Sequence, residues 1–252
     1  MRCSLYDGTD KLAKESGVSF LHTFATPRDG EATQDADELC GLVFAAVDES
    51  LSRISERVVK IAGVALSTFW HSILGVAWRG CPTTPVFTWA DRRAADAAGE
   101  LRERLDEAAV HRRTGCILHS SCLPAKLLWL SRSCTEAFEN TERWISPGEY
   151  LHLGLFREAG ASTSMASGTG LFDQNREVWH GECCAPCRSK RSSSPTSRTS
   201  PRWGCWEIEH GVGRRSPRYR GSRRSGTASA STSAAAARGG RGLLLRSGRA
   251  GR

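Results

Sequence analysis

Periodic apolar spacing stops near residue 182, so any packed core this chain builds must come from its first 182 residues. From Cys183 to Arg252 the sequence is tracts of Arg, Ser, Gly and Ala, with sixteen Lys or Arg against Glu207 and Glu209. That segment carries +14 of a whole-chain +8, which leaves −6 for residues 1–182. A chain segment so poor in apolar residues buries too little surface to offset its ordering entropy, and 183–252 is expected to be a disordered basic tail. Three readings of the tail stay open. Its cations suit nucleic-acid phosphates, although aromatic interleaving is limited to Trp203, Trp206 and Tyr219. Cys184-x2-Cys187 with Cys205 and His210 has the residue types of a zinc site. The reading favoured over both is a GC-rich gene translated out of frame, which yields such runs.

In residues 1–182, Cys3, Cys40, Cys81, Cys116, Cys122 and Cys134 are scattered singly through periodic segments, as reduced core cysteines are. The most apolar run, Val58 to Trp78, approaches membrane-spanning length. It is interrupted by Lys60, Ser67, Thr68, His71 and Ser72 and is rich in β-branched residues, so it reads as buried sheet. No basic stretch followed by an apolar one opens the sequence. The expectation is a cytoplasmic protein with no membrane contact and an oligomeric state left open.

The organising stretch is Ile61 to Ala95: an apolar strand, a turn carrying Trp70-His71, an aliphatic strand, a third strand, and a helix opening on Ala90-Asp91. Around it, Met1–Asp7 reads as a strand closed by a Gly8-Thr9-Asp10 turn, and Gly17–Phe24 as a second strand. Asp35–Ile54 reads as a helix capped by Asp35 or Asp37, with Leu39, Val43, Ala46, Val47 and Leu51 on one face. Val58–Leu66 reads as a buried strand, and Asp91–Ala109 as one helix with Asp91 as its cap. Gly115 ends a helical stretch, Pro124 opens PAKLLWL, and Arg143–Ser146 is a short strand. Ser146-Pro147-Gly148-Glu149 has capping-box spacing. The small residues of Ser162–Asp173 suit a helix packed closely on a neighbour. Strands and helices in this order indicate an α/β sheet covered by helices.

Six stretches carry a resemblance. RCSLYD, GVALSTFWHSILG, TPVFTWADRRAADAA, RTGCILHSSCLPAKLLWL, RWISPGEYLHLGLF and STSMASGTGLFD fall in an order similar to the N-terminal half of the FGGY carbohydrate kinases. The gluconokinase-like and xylulokinase-like members match best, over nearly all of residues 1–182. The resemblance implies an actin-like, ribonuclease-H-like ATPase domain and ATP-dependent phosphorylation of a sugar or sugar-acid hydroxyl, with Mg²⁺. It places Trp70 and His71 on the dipeptide that contacts sugar hydroxyls, and Trp89, Asp91 and Arg92 along the same sugar side. An aromatic face with rigid donors and acceptors is what a polyhydroxylated substrate requires. His119 and Ser121 lie near a further sugar-side position where relatives often carry Tyr.

The family's phosphate cradle begins with an Asp-x-Gly-Thr turn after its first strand. Here Asp7-Gly8-Thr9 follows what should be the second strand, so it reads as a hairpin turn and the first strand is expected to be missing. The Gly-Asp-Gly-like segment carrying the general base, and the adenosine pocket, are not found before the tail. The resemblance therefore implies a sugar-side domain, residues 1–182, with no catalytic residue of its own and little activity alone. The alternative is a non-catalytic binding protein whose basic tail contacts nucleic acid.

Overall fold

The computed structural model describes residues 1–54, 61–157 and 159–179, together with the backbone of 241–246. In chain order the elements are β1 (Arg2–Tyr6), β2 (Val18–Ser19), β3 (Thr33–Gln34), α1 (Ala36–Ser52), β4 (Ile61–Ser67), β5 (Leu74–Val76) and β6 (Val86–Phe87). Next come α2 (Ala95–Arg104), α3 (Glu107–Thr114), α4 (Leu123–Ser133) and α5 (Thr135–Asn140). The chain continues through β7 (Arg143–Ile145), α6 (Pro147–Phe156), α7 (Thr163–Ser167), β8 (Phe172–Asp173), β9 (Val178–Trp179) and β10 (Arg241–Arg246). The described residues form two compact units, one of 1–22, 41–54, 61–68 and 241–246, the other of 23–40, 69–157 and 159–179.

The first unit is a sheet in the order β2-β1-β10-β4, with β10 antiparallel to β1 and parallel to β4. Cys3 and Leu5 point inward from β1 and are fully buried. Ser16 locks the hairpin, because its hydroxyl accepts from Leu5 N at 3.1 Å and Ser50 donates to Ser16 O at 2.6 Å. The turn after β1 is made by Asp7, whose Oδ1 accepts from Thr9 N at 2.8 Å and from Lys11 N at 3.1 Å.

The second unit packs helices on short two-stranded pairs, β3-β6, β5-β7 and β8-β9. Its core gathers Ile73, Phe87, Leu101, Leu127, Leu130 and Trp144, each of which contributes about 1.5–3 kcal/mol by leaving water. Local chemistry sets the helix ends. Asp35 Oδ1 accepts from Glu38 N at 2.8 Å and starts α1. Gly115, at φ +72°, ends α3 in the left-handed conformation that its missing Cβ permits. Ser146 and Glu149 form the capping box of α6, behind a proline in its first turn.

Several expectations are corrected. Asp91–Ala109 is not one helix: the chain extends at Leu105 and restarts where the Asp106 side chain accepts from Ala109 N, giving α2 and α3. Asp91 caps neither, since α2 begins after Ala94 with no side-chain cap. The Gly17–Phe24 strand shrinks to Val18–Ser19. The described part of the Val58–Leu66 strand is not buried, Val64 being 45% exposed and Leu66 37%. Ile61–Ala95 is not one unit either, because β4 pairs with β10 whereas β5 pairs with β7 and β6 with β3. Within 183–252, Arg241–Arg246 is a strand rather than disordered chain; Gly-Leu-Leu-Leu is the segment's one run of large aliphatic residues and finds a ladder on each side. The remainder of the tail, with the zinc and nucleic-acid readings placed on it, lies outside the described residues.

Candidate functional site

The second unit contains a cleft of about 430 Å³, counting the solvent at its mouth. Its walls are the Phe69–Ser72 turn, Leu123 at the start of α4, Ser146 and Glu149 at the start of α6, and Met165, Gly168 and Thr169 around α7. Trp179 completes the lining.

Trp70 is half exposed and stands over Gly168, where an added Cβ would lie 3.0 Å from its ring. The small-residue segment therefore does pack closely on a neighbour, and the neighbour is this indole. The His71 ring meets Trp70 edge-on, with centroids 6.2 Å apart at 81°. His71 has φ +57°, a conformation costly for a residue with a Cβ and found mainly where surroundings enforce it.

Lys126 supplies that enforcement. It is 2% exposed, and its Nζ donates to His71 O at 2.8 Å, to Phe87 O at 3.4 Å and to Thr88 O. One ammonium thus ties the turn carrying Trp70-His71 to the segment carrying Trp89. Burial lowers its pKa to about 7, with the Asp91 carboxylate opposing that fall. The His71 imidazole lies against the Cys122 thiol, and its Nδ1 is buried with no hydrogen-bond partner among the described residues. Burial pushes the Glu149 carboxyl up, against hydrogen bonding from Ser146, whose N donates to it and lowers it.

Of the residues singled out from sequence, Trp70 and His71 line the cleft. Trp89, Asp91 and Arg92 are not among its lining. Trp89 is 46% exposed and joins the cleft through its backbone, its N donating to Ser72 Oγ at 3.1 Å. Asp91 is buried at 2%, accepts from Ala32 N at 3.2 Å and pairs with Arg93 at 2.6 Å. The Arg92 side chain faces solvent, 4.0 Å from Asp29. Sequence reasoning passed over Ser72, Glu149, Met165 and Thr169. Glu149 had a visible signal, but its capping-box spacing explained it fully and masked its place on the cleft wall. His119 is exposed and Ser121 half-buried, and they hydrogen-bond each other at 2.9 Å.

A triphosphate has no ready cradle in the Asp7–Lys11 turn. The amide and hydroxyl donors of Thr9 and the amide of Lys11 are already directed to Asp7 Oδ1, so the residues do not fit that group. Among the described residues no group of His, Cys, Asp and Glu could hold a metal ion, and no helix is long and apolar enough to cross a membrane.

The architecture and the cleft define a mixed α/β domain whose pocket is largely apolar and is walled by an indole and an imidazole. The chain belongs to the FGGY family of carbohydrate kinases: the family's N-terminal domain matches residues 1–202. It is 29% identical over 175 residues to gluconokinase from Bacillus subtilis, covering 69% of this chain and 33% of the relative. It is similar to the crystal structure of gluconate kinase from Lactobacillus acidophilus, with a TM-score of 0.65 at 28% identity over 74% of this chain and 37% of the other. The ligand-bound xylulose kinase of the same organism gives a TM-score of 0.66 at 28% identity, over 75% and 37% of the two chains. The chain thus spans about a third of the length of the curated relatives it matches.

Proposed function

We propose that this chain forms the sugar-side domain of an ATP-dependent carbohydrate kinase, residues 1–182, and that its cleft binds a sugar or sugar acid of the gluconate or xylulose kind. In this reading Trp70 covers the C–H face of the substrate, and the His71 side chain on the cleft wall contacts a hydroxyl. Trp89, Asp91 and Arg92 border the same side, Asp91 acting through its pair with Arg93 to hold the segment in place. ATP and Mg²⁺ belong to the reaction of the whole protein, and no step through them is assigned to the residues described here. The tail's role as a nucleic-acid contact has no described residue in its favour.

The observation that carries the proposal is the Trp70-His71 turn, held at φ +57° on the wall of a cleft by a buried lysine. Calorimetric titration of the chain with gluconate and with xylulose tests it. Binding of one of the two should weaken at least tenfold, about 1.4 kcal/mol, in Trp70→Ala and in His71→Ala. Binding that both variants leave unchanged, or no binding of either compound to the folded protein, overturns the reading.

A further inference from the structure

The carbonyl oxygens of His71, Phe87 and Thr88 converge on the Lys126 ammonium, and they do not depend on it equally. Phe87 O also accepts from Ile73 N at 3.0 Å, and Thr88 O also accepts from Asp91 N at 3.1 Å. For His71 O, Lys126 Nζ at 2.8 Å is the donor found among the described residues. That carbonyl belongs to the residue at φ +57°, which has an ordinary backbone conformation to relax into. An ammonium has a proton for each of the three oxygens, whereas the neutral amine has two N–H groups and a lone pair. Removing one proton turns that lone pair toward a carbonyl and takes the charge out of the remaining bonds, which weakens them. The His71 turn is the partner that gives way, because Phe87 O and Thr88 O keep a second donor.

The charges facing Lys126 are engaged elsewhere. Asp91, in the segment after β6, pairs with Arg93 at 2.6 Å, and Arg93 also reaches Glu31 at 3.2 Å. Cys122 lies one turn earlier on the same helix, its O accepting from Lys126 N at 3.2 Å. On α2, Glu100 pairs with Arg132 near the other end of α4, and on α5 Glu136 and Glu139 are exposed. Burial pulls the Lys126 ammonium down to about 7; Asp91 and Cys122 oppose that fall and Arg93 adds to it.

We propose that Lys126 is a positioning residue of the cleft: its charged form holds the Trp70-His71 turn in the shape that takes the substrate, and its neutral form does not. Sugar binding and protonation of Lys126 then reinforce each other. Trp70 and His71 both line the cleft, and Trp70 is seated on Gly168, so a change in the turn's backbone moves both side chains. The link to sugar rests on the sugar-binding reading; the response of the turn to Lys126 does not.

The full chain is titrated calorimetrically with gluconate and with xylulose from pH 6.5 to 9.5, each in two buffers of different ionisation heat. The Trp70 indole N–H resonance, identified by its loss in Trp70→Phe, is followed over the same range. Affinity should fall about tenfold for each pH unit above 7, as the charged fraction does, with close to one proton taken up per sugar at pH 8.5. The Trp70 resonance should shift with the same midpoint. Lys126→Met should bind at least tenfold more weakly at pH 7 and lose both the pH dependence and the resonance shift. The parent's proton uptake needs no variant and decides the matter if Lys126→Met does not fold. An affinity that is flat with pH, or a Lys126→Met variant that keeps the parent's profile, overturns the role of Lys126 and leaves the sugar reading intact. A resonance that shifts in the parent and not in Lys126→Met, with neither compound bound, counts against the sugar reading and leaves the hold of Lys126 on the turn standing.

Discussion

A buried ammonium is costly unless its protons are all directed, and Lys126 directs them at the carbonyls of His71, Phe87 and Thr88. Its folded-state pKa near 7 lies below that of an exposed lysine near 10.4, so between these values the unfolded chain binds more protons than the folded one. Stability from this group therefore rises with pH across that window and is flat below it, with a slope of up to about 1.4 kcal/mol per pH unit. Lys126→Met removes the titration and leaves the carbonyls without their donor. The wild-type advantage over this variant should widen from pH 7.5 to 9.5 in urea melts, since other groups cancel in the difference; a constant gap would show that Lys126 stays charged in the fold. Asp91 and Arg92 give a second contrast. Asp91→Ala leaves Arg93 with Glu31 as its remaining partner and opens the buried Ala32 amide, an expected loss of about 1–3 kcal/mol. Arg92→Ala touches only an exposed pair and should change stability by less than about 0.5 kcal/mol in the same melts. From sequence Asp91 was expected to cap a helix and Arg92 to lie on a solvated face; the second holds, and the first gives way to a buried pair. What separates them is which one the chain turns inward, and that depends on the Ala32 and Glu31 region about sixty residues earlier.

At the level of elements, local signals were legible where a single side chain fixes a backbone end. The Asp35 cap, the Ser146–Glu149 box and Gly115 all act within four residues, and all three were readable in advance. The break between α2 and α3 was not, because Leu105-Asp106 continues the helical Ala and Leu spacing. Only the extended backbone at Leu105 and the Asp106 cap divide it. Strand pairing was the least legible, since β5 bonds to β7 about seventy residues on. Gly75 shows what that pairing needs. It lies opposite Trp144, and an added Cβ would fall 2.4 Å from Thr141 Oγ1 and 2.6 Å from Thr83 Oγ1. The two threonine hydroxyls hydrogen-bond each other at 2.6 Å across the glycine, so neither can retreat without breaking that bond. Gly75→Ala is expected to cost about 2–4 kcal/mol by chemical denaturation, whereas the same change at Gly99, which has open space, should be neutral or stabilising.

For the whole chain, the longest-range connection is the one composition argued against. Arg241–Arg246 enters the sheet between β1 and β4, so that Ser4 and Ala65 both sit beside Leu244. Without it, β1 and β4 would each present an unpaired row of N–H and C=O groups to the gap. A composition argument averages over seventy residues and so misses a run of three leucines with a glycine before it, and three leucines suffice for one strand when both neighbouring ladders are already present. A strand flanked on both sides uses each of its amides, so proline at its centre removes one ladder bond and leaves a carbonyl unmatched. Leu244→Pro is therefore expected to cost about 2–4 kcal/mol and to speed amide exchange along Arg2–Tyr6 and Ile61–Ser67, read by hydrogen exchange and mass spectrometry. Amides of Leu74–Val76 and Arg143–Ile145 belong to a separate ladder and should keep their rates. Unchanged exchange in Arg2–Tyr6 would mean that β1 does not depend on this partner, and that the sheet of the first unit is closed by something other than the distant leucine run.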